Sequence, residues 1–480
     1  MKPANKIYLN LVFFSCILAV LHLSSCKKYI DVPAPKMSLE ADKVFSDSAA
    51  TLSSVLQLYD REVMEVLNIY PSLSADEVIM PPASIWNSFF NAANMQGNTL
   101  SVIADGALNG FSVGARIYQP LYQKINTANL CIAGISSSNA YGVANKNQLI
   151  GECKFWRAWS YFYLLNLFGN VPLNLSPVLE TNKTLSNAPT AEIYKQIIED
   201  LTDARNRLSA TNMSTEKIRV NKAAVTAMLA RVYFFQQNWP AAYSEANTLL
   251  TSTNYTLESD LATVFLKTSR ETIFQIQTVN SGATALTGVT QIPGFFAPLS
   301  GVLLTSYANA NLISAFQTGD LRKSKWIANF LDFNTFQSYS YPSKYKLNNA
   351  SVSGNEYIVM FRLAELYLIR AEAAANLDRL AEAEEDLFTV RKRAGLSTRL
   401  ALPDLPTALT ALERERRLEL FTEYGDRWLN LKRTGRIHTV LPVTKAGTVP
   451  GYKWEPYQAL YPIPSQEVFA NRNLKQNPGY

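Results

Sequence analysis

The 480-residue sequence predicts a mainly helical protein, in which a scaffold of helical repeats carries long irregular insertions. Two observations predict the scaffold: apolar residues recur at three- and four-residue steps in several long segments, and one helix-pair pattern occurs twice. A third observation predicts the insertions, because two long stretches lose the helical period and become rich in Pro, Gly, Ser, Thr, Asn and aromatic residues. We expect binding residues on these insertions, since loops on a rigid scaffold often carry function.

The N-terminus has the pattern of a bacterial lipoprotein signal peptide, assigned to residues 1–25. Lys2 and Lys6 precede an apolar run over residues 9–23, which is shorter than the ~20 residues that a membrane span needs. The sequence Leu-Ser-Ser-Cys that follows resembles a lipobox, in which cleavage precedes the Cys and lipid is attached to its thiol. We therefore expect Cys26 to be the lipid-bearing first residue of the mature protein.

Composition excludes several function classes. Loss of the two signal-peptide lysines lowers the net charge from +6 to +4, and no stripe dense in Lys and Arg remains, so nucleic acid is not expected as a partner. His438 is the single His outside the signal peptide, and no zinc, dinucleotide or P-loop motif occurs, so neither metal nor cofactor is expected. Neither candidate set of carboxylates supports hydrolysis. The side chains of Asp76 and Glu77 diverge because the two residues are adjacent, and the run Glu384–Asp386 is interpreted as the solvated face of a repeat helix.

The helical segments come in pairs. Apolar periodicity predicts helices over 118–137 and 147–168, and then over 190–209 and 217–237. Cys131 and Cys153 lie on the first pair, 11 residues on either side of Gly142. Export permits a disulfide between them, but packed helix axes usually lie further apart than bridged Cα atoms, so a disulfide and two buried thiols both remain open.

A tetratricopeptide-like pattern of small and large residues occurs twice, about 130 residues apart. It begins at Leu229–Tyr233 and again at Leu363–Tyr367, and small residues follow where two helices would cross closely. Its further members are Asn238, Trp239, Ala242 and Ala246 in the first copy, and Ala371, Ala374, Ala381 and Ala383 in the second.

Aromatic residues in the insertions, 71–116 and 252–355, predict a carbohydrate site, since a sugar ring stacks on an aromatic face while polar side chains bond its hydroxyls. Alternation predicts strands over 272–277 and 339–346. The expected ligand-binding residues are Asp76, Trp86, Asn87, Phe296, Trp326 and Tyr341.

Motifs along nearly the whole chain resemble the SusD/RagB nutrient-binding lipoproteins of Bacteroidetes. They are Cys26–Pro33, Val44–Phe45, Glu152–Leu164, Phe168–Leu173, Phe361–Leu368, Glu415–Leu420, Gly425–Trp428, Leu431–Gly435, Leu460–Pro464 and Asn471–Tyr480. We expect Arg427 and Trp428 to hold the last helix on the repeats rather than to bind ligand. Two features depart from the resemblance: Lys27 and Lys28 stand where surface-exported lipoproteins often have acidic residues, and 252–355 carries no strong family motif.

The resemblance implies about four tetratricopeptide-like helix pairs and insertions with a few short strands, in one domain over 26–480. It also implies a SusC-like TonB-dependent barrel as partner and a lipid-anchored, outward-facing place at the outer membrane. The scaffold is expected mainly at 40–70, 117–251 and 356–435, with a C-terminal motif at 436–480.

The function expected from this resemblance is non-catalytic capture of oligosaccharide for the barrel. Three alternatives remain: capture of peptide by the same machinery, hydrolysis by a surface glycosidase, and a protein-binding scaffold that uses the concave side of the repeats.

Overall fold

Long helices follow the apolar periodicity of the chain. The computed structural model describes residues 41–81, 92–100, 112–277, 296, 305–333, 336–346 and 355–480. Its first eight helices are α1 (Ala41–Ser46), α2 (Ser48–Leu56), α3 (Glu62–Ser74), α4 (Ala92–Gly97), α5 (Gln119–Ser137), α6 (Val143–Phe168), α7 (Leu179–Asn182) and α8 (Thr190–Arg207). Later helices are α9 (Lys222–Phe235), α10 (Trp239–Leu250), α11 (Ala310–Ala315), α12 (Leu321–Trp326), α13 (Leu363–Asn376) and α14 (Leu380–Arg393). The last are α15 (Leu405–Leu420), α16 (Asp426–Arg433), α17 (Ile437–Ala446) and α18 (Ser465–Ala470).

Helix α6 is the centre of the scaffold and packs between α5 and α8. Its second half is buried on every side, including Trp156 and Trp159, so no polar face is needed there. The helix ends at Gly169, which has the positive φ of 75° that glycine adopts without a Cβ penalty. On α5 and α6, Cys131 and Cys153 are buried free thiols, so of the two alternatives the structure has the unbridged one.

The two tetratricopeptide-like patterns form helix pairs that stack on each other. The pairs are α9 with α10 and α13 with α14, and α10 also packs on α13. The small residues Ala242, Ala246, Ala371 and Ala374 are fully buried at these crossings. A buried ion pair of 2.7 Å between Arg231 of α9 and Glu365 of α13 fixes the stacking of segments far apart in sequence.

The strands are short and pair in three antiparallel sheets of two strands each within the described residues. Their bounds are β1 (Val78–Ile79), β2 (Thr272–Ile276), β3 (Tyr307–Ala308), β4 (Ile327–Asp332), β5 (Gln337–Pro342) and β6 (Ile358–Arg362). The partners are β1 with β3, β2 with β6, and β4 with β5. β2 lies where the sequence predicts a strand, whereas β5 starts and ends earlier than the predicted 339–346.

The C-terminal helices close the molecule over α3. Helix α16 packs on α3, and Trp428 of α16 is fully buried beside the rings of Trp454 and Tyr461. In the part of the chain that the structure describes, no helix is both long and apolar enough to cross a membrane. The mainly helical fold with few short strands agrees with the sequence prediction.

Candidate ligand-binding surface

The two insertions meet in a small sheet. Strand β1 follows α3 after a short turn, and Ile79 pairs with Tyr307 of β3. The backbone N–H of Asn309 donates to the carbonyl of Glu77 at 2.8 Å, which ties the end of β3 to the segment before β1. Loops separated by more than 200 residues in sequence therefore share one edge of the molecule.

Three half-exposed tyrosines form a stripe beside this sheet. Tyr339 and Tyr341 lie two residues apart on β5, so their side chains project from the same face of the β4–β5 hairpin. The ring of Tyr307 lies against that of Tyr339, with centroids 5.1 Å apart. Partial burial raises the pKa of Tyr307 and of Tyr341, so both phenols are neutral at physiological pH and their hydroxyls are available as hydrogen-bond donors. We call Tyr307, Tyr339 and Tyr341 the tyrosine stripe.

The tip of the same hairpin carries two exposed rings. Phe333 is 69% exposed and Phe336 is 78% exposed, although phenylalanine is usually buried. Phe336 has φ of 53°, a left-handed conformation that is costly for a bulky residue, and its N–H donates to the carbonyl of Asp332 at 2.7 Å. Exposed rings on a strained turn are typical of a binding surface rather than of a core.

Asp76, expected at the ligand, is fully buried in ion pairs. Its Oδ1 accepts from Nε of Arg427 at 2.8 Å, and its Oδ2 accepts from Nη2 of Arg417 at 2.9 Å. Burial alone would raise the pKa of Asp76, but the two guanidiniums outweigh it and hold the pKa well below its usual range. The carboxylate therefore fastens α15 and α16 to the segment after α3, and it is closed off from the surface.

Glu77 is buried beside it in a different environment. Its Oε2 accepts from the backbone N–H of Thr422 at 3.2 Å, and Oε1 has no hydrogen-bond partner among the described residues. Burial raises the pKa of Glu77 to about 7. Both carboxylate oxygens of Asp76 are paired with arginines, and Glu77 is buried. This carboxylate pair therefore gives no support for a glycosidase site.

Trp326 and Phe296 are buried as well. Trp326 ends α12, its Nε1 donates to the carbonyl of Leu261 at 2.8 Å, and Nζ of Lys344 lies 4.9 Å from its ring centroid. Phe296 is 2% exposed. Of the six expected ligand residues, Tyr341 is the one that the structure places at the surface within its described part, while Trp86 and Asn87, like Cys26, lie outside the described residues.

Comparison with known proteins gives the family. Residues 180–480 match a family model described as SusD family, and residues 28–234 match one described as starch-binding associating with the outer membrane. The chain belongs to the SusD family. A SusD-like protein of Formosa agariphila is 23% identical over 546 aligned positions, which cover all of both chains.

Solved structures of the SusD family share the fold. The surface glycan-binding protein A of Bacteroides fluxus is 22% identical, has a TM-score of 0.74, and covers 90% of this chain and 100% of its own. The protein of the same name from Bacteroides thetaiotaomicron, solved with laminarihexaose, is 19% identical at a TM-score of 0.74, covering 90% of this chain and 99% of its own.

Sequence reasoning missed Phe336 and the partners of Asp76. A turn signal was present, because Asn334 and Thr335 separate the two phenylalanines of the tip. The bonds from Asp76 to Arg417 and Arg427 span more than 340 residues, and a single sequence carries no local signal for such a contact.

Proposed function

We propose that this SusD-family protein is a non-catalytic lipoprotein that captures oligosaccharide and delivers it to a SusC-like TonB-dependent barrel. The observation that carries the proposal is the tyrosine stripe, which presents aromatic faces and phenolic hydroxyls together at one surface. Aromatic faces stack on the apolar face of a sugar ring, and phenols bond its hydroxyls. The exposed rings of Phe333 and Phe336 extend this apolar surface to the hairpin tip.

Relatives support a sugar as cargo. The laminarihexaose complex shows that a protein of this fold holds a glucan, and the family description for the N-terminal half names starch. We propose that Trp86 and Asn87 complete the ligand surface, because the chain leaves β1 at Ile79, the strand partner of Tyr307.

The proposed anchor is lipid on Cys26, at the outer membrane and facing outward. The lipobox-like sequence before Cys26 supports it, as does the family description of association with the outer membrane. The proposed recipient is a SusC-like barrel, which the family resemblance alone supports, and the protein would act as a hinged lid over it.

The test is calorimetric titration of the purified protein against a panel of glucans, other polysaccharides and peptides. Binding to a glycan should weaken about fivefold or more in Tyr339→Ala and Tyr341→Ala, since each stacked ring contributes on the order of 1–3 kcal/mol. The matched control is Phe469→Ala, which removes a ring that is 89% exposed on α18, far along the chain from the hairpin.

The outcomes separate the alternatives. Release of reducing sugar during the titration would establish catalysis and overturn the capture proposal. Binding to peptides without binding to glycans would show that the protein captures peptide. An equal loss of affinity in Phe469→Ala would show that the hairpin is not the binding site.

A further inference from the structure

A second concave surface lies between α15 and α17, apart from the tyrosine stripe. This groove has a volume of about 520 Å³, within the size range of small-ligand sites. Helix α15 contributes Glu413, Arg414 and Arg417, while α17 and the residue before it contribute Val443 and Arg436. We call it the arginine groove.

The arginine groove carries an excess of positive charge. Four arginines line it (Arg414, Arg417, Arg427 and Arg436), and two carboxylates, those of Asp76 and Glu413, are paired with them. Two positive charges are left over. Because the flanking carboxylates already hold Arg417, Arg427 and Arg436, the groove is fixed in place before any ligand arrives.

Two of these guanidiniums have donors to spare. Arg414 is exposed and donates to the backbone carbonyl of Ala315 at 2.9 Å, and within the described ranges it forms no ion pair. Nε of Arg417 is buried and has no hydrogen-bond partner among the described residues. A buried N–H without an acceptor is costly, so an oxygen ligand in the groove would relieve that cost.

The α17 wall of the groove is partly apolar. Val440 and Val443 line it together with Thr439 and Thr444, and Val443 is 76% exposed whereas Val440 is half-buried. The valine side chains and the guanidinium donors therefore give the groove both an apolar and a cationic part. An anionic sugar matches both parts, because its ring has an apolar face and its acidic group accepts bidentate bonds from a planar guanidinium.

We propose that the arginine groove binds one anionic sugar unit of the captured glycan, bearing a uronate carboxylate or a sulfate ester, through the exposed side chains of Arg414 and Arg436 and the buried Nε of Arg417. This inference rests on the proposed function and names the cargo class more narrowly. An excess of only two charges suits a single anionic group, whereas a polyanion such as nucleic acid requires a longer basic track.

The experiment compares matched charged and neutral glycans on the whole protein. One pair is an oligogalacturonide and its methyl ester, and the other is an oligomeric dextran sulfate and dextran. The charged member of one pair should bind about ten- to a hundredfold more tightly, as hydrogen bonds to charged groups allow, and rising salt should reduce the difference. The pair that responds identifies the acidic group.

Two variants test whether the preference for the charged glycan arises in the arginine groove. Arg414→Gln combined with Arg436→Gln should abolish the preference for the charged glycan and leave the neutral one unaffected. Arg399→Gln is the control for net charge, because its side chain is 45% exposed, similar to the 48% of Arg436, and it pairs with α14 instead.

Each contrary result has a distinct meaning. Equal binding of charged and neutral glycans, or an unchanged preference in the double variant, would overturn this inference and leave capture through the tyrosine stripe standing. Absence of binding to every glycan would overturn the capture proposal itself, and the inference with it.

Discussion

Asp76 and Glu77 are adjacent and fully buried, yet their carboxyl pKa values move in opposite directions. Asp76 meets two guanidiniums, whereas Glu77 meets a backbone N–H and gains too little to offset its burial. Burial is common to both residues, so the partners of each carboxyl group decide whether its pKa rises or falls. Glu77 is thus a carboxyl group whose ionisation opposes folding near neutral pH.

This difference predicts a specific pH effect for Glu77→Gln. The folded-state pKa of Glu77 is about 7, above the ordinary 4.5, so folding favours its protonated form. The protonated carboxyl group contributes to the free energy of unfolding below pH ~4.5. This contribution, roughly 3 kcal/mol, is lost as the pH rises to about 7. Because glutamine does not ionise, the stability of the variant relative to wild type should increase by about this amount between pH 5 and pH 8.

Urea unfolding at a series of pH values measures this change. Glu199→Gln on α8 is the control, because that side chain is 56% exposed and its substitution should change the free energy of unfolding by less than about 0.5 kcal/mol. Parallel curves for wild type and Glu77→Gln would contradict the assignment.

At the scale of elements, sequence periodicity predicts helices well where one face is apolar. The helix expected at 118–137 is α5, and the one expected at 190–209 is α8, because their buried residues recur at helical spacing. The strand β4 was not predicted, since its burial does not alternate regularly. It forms because β5 folds back on it, which is a tertiary effect.

The candidate site was less predictable than the fold, and Trp326 shows why. It lies in polar sequence with little periodicity, which suggested an exposed ring. Its helix, α12, is only one and a half turns long and is capped by Asp320, whose side chain accepts from the N–H of Arg322. At the other end of this helix the ring of Trp326 is buried, and its Nε1 donates to the carbonyl of Leu261. Such a contact depends on the whole fold, so composition alone did not reveal it.

The junction of α16 with α3 predicts a large effect for Gly425→Ala. Gly425 has φ of 69°, and a Cβ there would lie 2.6 Å from Cβ of Pro71 in α3. The left-handed conformation costs an alanine about 1–2 kcal/mol, and the clash adds about 1–3 kcal/mol. Gly435→Ala is a matched control, since Gly435 has φ of 70° and open space around its Cβ position.

Thermal or urea unfolding of the two variants separates strain from contact. Gly435→Ala should lower the free energy of unfolding by the conformational cost alone. Gly425→Ala should lower it clearly more, because the clash with Pro71 is added. Equal losses would show that α16 does not press on α3 at this point.

At the scale of the whole molecule, buried ion pairs join the insertion to the scaffold. Glu419 of α15 is the common acceptor: it pairs with Arg362 at 2.6 Å, with Arg322 at 3.1 Å, and with Arg393. Arg322 belongs to the insertion, whereas Arg393 belongs to α14 of the repeats. The carboxylate therefore couples the half that bears the tyrosine stripe to the helical-repeat half.

This coupling sets the expected response to acid. Burial would raise the pKa of Glu419, but Arg393, Arg362 and Arg322 outweigh it and hold the pKa far below its usual range. A lowered carboxyl pKa stabilises the fold above the unfolded-state pKa of ~4.5, and that stability is lost as the pH falls toward the folded-state pKa. Acidification should thus weaken the junction between the two halves.

Glu419→Gln tests the junction at neutral pH. Removing the carboxylate leaves three buried guanidiniums without their shared partner, and breaking a buried pair in this way costs about 3–5 kcal/mol. Glu384→Gln is the control, because that side chain is 30% exposed and 3.7 Å from Arg399, where substitution should change stability by less than about 0.5 kcal/mol. Calorimetric unfolding of the control should resemble wild type, whereas Glu419→Gln should unfold at lower temperature, with the insertion melting before the repeats. If Glu419→Gln and Glu384→Gln unfold alike, the two halves are held together by packing of their apolar residues, and the ion pairs contribute no net coupling.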